Sequence, residues 1–119
     1  MGRMEQRRFS FPKSARVRKK ADIDRVFREG ARYSCKGMRL HSLKTSLSET
    51  RVVFIPVRAF DGAVERNRAR RLAREAWRLS RGEVPDGFDL AFVLYPGWNT
   101  LRECSSMIAL LLRKAGMSK

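Results

Sequence analysis

Arginine side chains are concentrated in one segment of this 119-residue chain. Seven arginines lie between residues 63 and 81, where only Glu65 and Glu75 carry the opposite charge. A planar guanidinium can donate two hydrogen bonds to one phosphate or lie flat on a base. At about 100° per residue, six of the seven gather with Asn67 in an arc roughly 140° wide, with Arg68 near its edge. The six are Arg66, Arg70, Arg71, Arg74, Arg78 and Arg81. The segment therefore predicts a surface that binds a nucleic-acid backbone.

The charge balance of the chain supports this interpretation. Lys and Arg number 27 against 12 Asp and Glu, and the formal net charge is +15. Four of the arginines, from Arg66 to Arg78, follow one another at spacings of four, which destabilises an isolated helix by a few tenths of a kcal/mol per pair. Pairing with acids elsewhere in the domain is the alternative, but the acids are too few. If the face neutralised about six phosphates, the logarithm of affinity would fall with that of salt at a slope of about −4 to −5.

Other kinds of site find little support in the residue types. Cys35 and Cys104 form no C-x-x-C pair, and His41 is the one histidine, so neither a zinc site nor a disulfide framework is expected. A protein nuclease needs carboxylates converging on metals or a histidine pair. Asp22 and Asp24 are two residues apart on a predicted helix and point in different directions. Asp86 and Asp89 flank a turn and are interpreted as turn residues.

The apolar stretches are short. The longest fully apolar runs, at residues 90–95 and 107–112, fall far below the roughly 20 residues that cross a bilayer. The basic amino terminus is followed by no apolar segment of a secretory signal. We therefore expect a cytoplasmic protein with no membrane partner.

The elements that must position the arginines form a single domain of the α/β class. A basic arm, expected to be flexible, covers residues 1–15, and the domain predicted to bind nucleic acid covers residues 16–116. A helix is predicted over 21–29, with Gly30 as a left-handed cap. Strands are predicted over 38–43 and 51–57, and Pro56 places the second at a sheet edge or at its own end.

The arginine segment is predicted to be helical over 63–81. Its apolar stripe faces the core and consists of Ala69, Leu72, Ala73, Ala76 and Leu79. Trp77, at the boundary of the arginine arc, is expected to pack at the core edge, with stacking on a nucleic acid as the alternative. The run 88–95 predicts a strand covered on both faces. Thr100 and Glu103 match a capping box that opens a last helix before Gly116. The order α-β-β-α-β-α predicts an α/β sandwich; Trp98 is assigned no role.

Two stretches of the sequence resemble the protein subunit of bacterial ribonuclease P. The run from Gly62 to Trp77, GAVERNRARRLAREAW, is similar to the Arg-Asn-Arg signature of that family, and RVRKKADIDRVFREG at residues 16–30 is similar to its first helix. The resemblance implies an α/β sandwich in which the arginine helix occupies a left-handed β-α-β crossover. It also implies binding to ribonuclease P RNA and to the single-stranded 5′ leader of precursor tRNA.

The resemblance carries individual roles to this chain. It implies that the RNA is bound by Arg58, Arg66, Asn67, Arg68, Arg70, Arg71 and Arg74. It implies that a cleft between the first helix and the sheet holds the leader, lined by Arg16, Arg18, Ile23, Phe27 and His41. Ile23 stands where the family commonly has phenylalanine, and His41 where it commonly has an aromatic residue such as tyrosine. In the segment 53–61, Arg58 keeps one charge, but Ala59 and Asp61 replace other family residues.

The resemblance implies a non-catalytic subunit of a ribonucleoprotein endonuclease. Magnesium ions held mainly by the RNA would carry out hydrolysis, with no catalytic side chain, no metal bound by the protein alone, and one protein per RNA. Two alternatives remain: a structural RNA-binding protein of ribosomal type, which would share the charge and fold class, and a metal-dependent protein nuclease. Absence of stimulation of precursor-tRNA cleavage by the cognate RNA at low magnesium would favour the ribosomal type, and cleavage by the protein alone that a chelator abolishes would indicate the nuclease.

Overall fold

A computed structural model of the chain describes residues 19–80 and 84–117. The predicted arm at 1–15, Arg16, Arg18 and Arg81 lie outside the described residues. The helices are α1 (Lys20–Glu29), α2 (Gly62–Ser80) and α3 (Leu101–Lys114), and the strands are β1 (Ala31–Cys35), β2 (Met38–Lys44), β3 (Arg51–Pro56) and β4 (Phe88–Leu94). The fold is an α/β sandwich in the order α-β-β-β-α-β-α, so the predicted class is confirmed.

The four strands form one mixed sheet in the order β1-β2-β4-β3. β2 pairs antiparallel with β1 and β4, whereas β3 and β4 are parallel neighbours joined through α2. That connection is the predicted β-α-β crossover, and its left-handedness stays a prediction from the resemblance. β3 lies at the sheet edge and ends at Pro56, as the missing N–H of proline requires.

The sheet separates two packed layers. On one face, α2 and α3 cover the main core, which includes Met38, Leu40, Phe54, Leu90 and Phe92. On the other face α1 packs against β2 and β4. β4 is buried at six of its seven positions because it is central and covered on both sides, as its apolar sequence predicts. The arginine helix and the first helix therefore lie on opposite faces of the sheet.

The structure corrects three details of the sequence prediction. β1 was not predicted, because its sequence ARYSC is short and half polar and its strand conformation depends on pairing with β2. Gly30 is not a left-handed cap: it is extended, with φ −78° and ψ 158°. A Cβ there would lie 2.6 Å from the Val26 carbonyl oxygen and 2.8 Å from that of Ser42, so glycine permits a close approach of α1 to β2. Leu79 is 59% exposed and does not belong to the core stripe.

The last helix begins as predicted. The Thr100 side chain accepts from the Glu103 backbone N–H, and the Glu103 carboxylate accepts from the Thr100 backbone N–H, completing the capping box. In the part of the chain that the structure describes, no helix is long and apolar enough to cross a membrane.

Candidate nucleic-acid interface

The core-facing side of α2 determines where its arginines point. Ala69, Ala73, Ala76 and Trp77 are buried, and the Trp77 ring packs 5.9 Å from the ring of Phe92. This confirms the core position expected for Trp77. The small alanine side chains let the helix approach the sheet and α3 closely, and the arginine arc consequently faces away from the core.

The arginines of α2 are engaged in different ways. Arg78 forms a bidentate pair with Glu75, at 3.0 Å through Nε and 2.6 Å through Nη2, and these hydrogen bonds lower the pKa of Glu75. Arg68 donates to the backbone oxygen of Asn99 at 2.8 Å, and Arg70 donates to the Asn67 side-chain oxygen at 2.9 Å. Both of these acceptors are neutral, so the positive charges of Arg68 and Arg70 are not neutralised by them.

Unneutralised arginines define the arginine face, which we take as Arg66, Arg68, Arg70 and Arg71. Counting only residues 19–80 and 84–117, none of these four has a carboxylate within 4.0 Å. A guanidinium has five donors, so Arg68 and Arg70 retain free N–H groups after their neutral hydrogen bonds. The alternative to nucleic-acid binding is that the arginines pair with acids of the same domain. Among the described residues, Arg78 forms such a pair, and none of the four arginines of the arginine face does.

The remaining predicted RNA contacts flank this face. Arg58 is exposed in the turn between β3 and α2, and Asn67 and Arg74 are exposed on the helix. The turn is closed by backbone hydrogen bonds from Phe60 to Val57 and from Gly62 to Phe60. Gly62 has φ +87°, a conformation that favours glycine, where the chain enters α2.

Phe27 and His41 meet between α1 and the sheet. Their ring centroids are 4.5 Å apart in an edge-on arrangement, with Phe27 half-buried and His41 only 5% exposed. Ile23 is half-buried one helical turn before Phe27. The structure thus gathers three of the five predicted leader-cleft residues in one region.

Hydrogen bonding and burial determine the tautomer and the charge of the His41 ring. Its Nε2 accepts from the Arg39 Nε at 2.9 Å, so in the neutral ring Nδ1 carries the proton. Within the described residues, Nδ1 is buried without a hydrogen-bond partner. Burial first, and then the charges of Arg39 and Arg32, lower the pKa of His41. His41 is therefore a neutral, positioned ring near pH 7.

Arg39 is a candidate site residue that the sequence pattern alone did not single out. It is half-buried, donates to His41, and its guanidinium carbon lies 5.9 Å from the centroid of the Tyr95 ring. The sequence did contain a signal for Arg39: residues two apart in a strand share one face, so Arg39 lies on the same face of β2 as His41. Arg39 therefore adds a cation and an adjoining aromatic ring to the α1 face of the sheet.

A buried ion pair lies on the same face. Arg51 donates to both carboxylate oxygens of Asp89, at 2.8 and 2.6 Å, and lies 3.6 Å from Asp22 of α1. These hydrogen bonds to Asp89 raise the pKa of Arg51. Asp89 is 4% exposed within β4, so its interpretation as a turn residue is wrong: β4 begins before it, and its partner is 38 residues away in sequence. The pair links β3, β4 and α1.

Nucleophiles and metal ligands are dispersed in the described ranges. No three His, Cys, Asp or Glu side chains are grouped there as a metal site requires. Cys104 is buried, which raises its pKa to about 12, and burial also raises the pKa of Cys35. Neither thiol has the low pKa of a reactive nucleophile.

Comparisons with known proteins place the chain in one family. The family described as Ribonuclease P matches residues 11–115. The ribonuclease P protein component of Desulfotalea psychrophila is 37% identical over 91 residues, covering 76% of each chain. That of Dictyoglomus thermophilum is 31% identical over 115 residues, covering 93% of this chain and 96% of the relative.

Solved structures share the architecture. The RNase P protein of Staphylococcus aureus superposes with a TM-score of 0.77 at 17% identity, covering 90% of this chain and 100% of that one. The RNase P protein of Thermotoga maritima gives a TM-score of 0.74 at 24% identity, covering 82% of this chain and 96% of that one. At these identities the structural likeness describes the fold.

Proposed function

Because this chain belongs to the Ribonuclease P family, we propose that it serves as the protein subunit of that ribonucleoprotein endonuclease, which removes the 5′ leader of precursor tRNA. The observation that carries the proposal is the arginine face of α2, whose four guanidinium groups have no carboxylate partner among the described residues. Its partners are the ribonuclease P RNA and the precursor tRNA.

The two faces of the sheet have separate roles in this proposal. The arginine face, with Arg58, Asn67 and Arg74 beside it, binds the phosphates of the ribonuclease P RNA. The opposite face, between α1 and β2, binds the leader, with Phe27 in contact with an unstacked base. Arg39 supplies a cation for the leader backbone on that face. Since α2 and α1 lie on opposite sides of the sheet, one protein can contact both RNAs at once.

Hydrolysis is assigned to the RNA. His41 is a poor general base because its Nε2 already accepts from Arg39 and its side chain is only 5% exposed, which leaves no free lone pair at the surface. Magnesium ions bound mainly by the RNA would activate water and stabilise the leaving oxygen. The protein contributes by lowering repulsion between phosphates and by binding the leader at positions outside the cleavage site. We place one protein on each RNA, in the cytoplasm.

Reconstitution with the cognate RNA tests the proposal. At low magnesium concentration, the full chain should stimulate cleavage of a precursor tRNA that carries a leader. The protein should raise the affinity for that precursor much more than the affinity for mature tRNA, because only the former fills the α1 face. Equal cleavage with and without protein would contradict the proposed role, and cleavage by the protein alone, abolished by a chelator, would instead identify a protein nuclease.

The alternative of a structural RNA-binding protein of ribosomal type has less support. The relatives described above are ribonuclease P protein components, and the family match covers residues 11–115. A ribosomal protein would share the basic charge and the α/β class, but it would bind its RNA without stimulating precursor cleavage. The reconstitution assay therefore separates the two functions directly.

A further inference from the structure

A cavity of about 480 Å³ lies where the turn between β1 and β2 meets the start of α3. Trp98 forms part of its wall. The indole Nε1 donates to the Gly37 carbonyl oxygen at 3.0 Å. A Cβ on Gly37 would lie 2.9 Å from the indole ring and 3.1 Å from the Met107 sulfur, so the ring is packed directly over the glycine backbone. The ring is thus held in a fixed orientation with its polar group already satisfied.

The charged residues of the cavity favour an anion. Lys36 and Arg102 line it, both are exposed, and neither has a carboxylate within 4.0 Å in the described part of the chain. Glu103, the one acid that the described residues contribute to the lining, accepts hydrogen bonds at its Oε1 from the backbone N–H groups of Asn99 and Thr100, and these hydrogen bonds lower its pKa. Glu103 therefore caps α3. The two cations, Lys36 and Arg102, leave the described lining with a net positive charge.

The position of the cavity connects it to the arginine face. Arg68 donates to the backbone oxygen of Asn99, the residue that follows Trp98. The cavity also lies on the side of the sheet covered by α2 and α3, opposite α1 and the proposed leader surface. An RNA bound along α2 therefore passes close to this cavity, whereas the leader is on the other side of the sheet.

These features together identify an occupant. Cavities of about 300–1,000 Å³ hold small molecules, so this one accommodates a single nucleotide and excludes a duplex. A fixed aromatic ring favours stacking of a base, and nearby cations favour its phosphate. We infer that this cavity binds one unpaired nucleotide of the ribonuclease P RNA, with the base against Trp98 and the phosphate beside Lys36 and Arg102. The inference rests on the proposed function and extends its RNA interface from α2 to α3.

Equilibrium binding of the full chain to the cognate ribonuclease P RNA, without precursor tRNA, tests the inference. Trp98→Leu should weaken binding by roughly 5- to 140-fold, the range for loss of one stacked base, with little change in salt dependence. Trp98→Phe keeps a ring and should retain most of the affinity. Arg102→Gln should lower the steepness of the salt dependence by about 0.7–0.9. Arg113→Gln, exposed at the other end of α3, is the matched control and should bind like wild type.

The outcomes distinguish this inference from the proposed function. Thermal unfolding confirms that each variant is folded, and Arg102→Gln gives a surface test should Trp98→Leu be unstable. If Trp98→Leu and Arg102→Gln bind like wild type while Arg71→Ala binds weakly, the cavity inference fails and the proposed function stands. A second titration measures the affinity of each reconstituted holoenzyme for precursor tRNA. If Trp98→Leu lowers only that affinity and binds ribonuclease P RNA like wild type, the assignment to ribonuclease P RNA is overturned. If the wild-type chain does not bind the cognate RNA, the proposed function fails as well.

Discussion

Arg71 offers the most direct test of the arginine face. Its side chain is exposed on α2, and the structure gives it no hydrogen bond or ion pair within the described residues. Arginine and alanine are both good helix formers. Arg71→Ala therefore removes one positive charge without disturbing a contact inside the protein, and its stability should change by no more than about 0.5 kcal/mol.

The expected effect on RNA binding follows from counterion release. Each phosphate contact contributes about 0.9 to the slope of log affinity against log salt on a duplex and about 0.7 on a single strand. Loss of Arg71 should lower the steepness by that amount. Raising the salt concentration from 50 to 200 mM weakens RNA binding by a certain factor for each protein. That factor should be roughly 2.6 to 3.5 times smaller for the variant than for wild type.

Arg78→Ala is the matched control for this measurement. It lies on the same helix and carries the same charge, but Arg78 already pairs with Glu75 in a bidentate arrangement. Loss of Arg78 leaves the Glu75 carboxylate without this partner, so the net charge of the Arg78–Glu75 pair becomes more negative. No guanidinium that was available to bind a phosphate is lost. We expect its salt slope to remain close to that of wild type.

The assay is a titration of labelled ribonuclease P RNA at several salt concentrations, with thermal unfolding of each variant measured in parallel. A wild-type slope for Arg71→Ala together with a reduced slope for Arg78→Ala would refute the reasoning, because the paired arginine would then be the RNA contact. Unfolding of Arg71→Ala at a markedly lower temperature would show that its side chain has an internal structural role.

Three further predictions concern the sheet and the first helix. Phe27→Ala should weaken binding of precursor tRNA with a leader by about 1–3 kcal/mol and leave mature tRNA unaffected; equal losses for both would contradict leader stacking. Gly30→Ala should lower the free energy of unfolding by about 1–3 kcal/mol in urea titrations, because its Cβ would lie within 2.8 Å of two backbone oxygens. Arg51→Met should cost about 3–5 kcal/mol by leaving the carboxylate of Asp89 buried and unpaired, and Arg51→Met with Asp89→Leu should recover most of that loss; no recovery would refute this explanation.

Much of the fold follows from local signals that the sequence carries. Periodicity predicts α2 and the orientation of its buried alanines, Pro56 predicts the edge position of β3, and Thr100 with Glu103 predicts the start of α3. Each depends on geometry within a few residues, such as the helical repeat, a missing N–H or a capping hydrogen bond. The number and spacing of the arginines likewise predict a charged face on α2, because the helical repeat alone brings them to one side.

Contacts between distant segments required the tertiary structure. The sequence of β1 is too short and polar to specify a strand by itself, and its conformation comes from pairing with β2. The role of Gly30 depends on how closely α1 approaches Ser42, and the role of Asp89 depends on Arg51 across the sheet. Trp98 acquires a fixed orientation only because Gly37 lies beneath it. Local sequence determines the conformation and charge of each element, whereas burial and partners depend on which distant elements pack together.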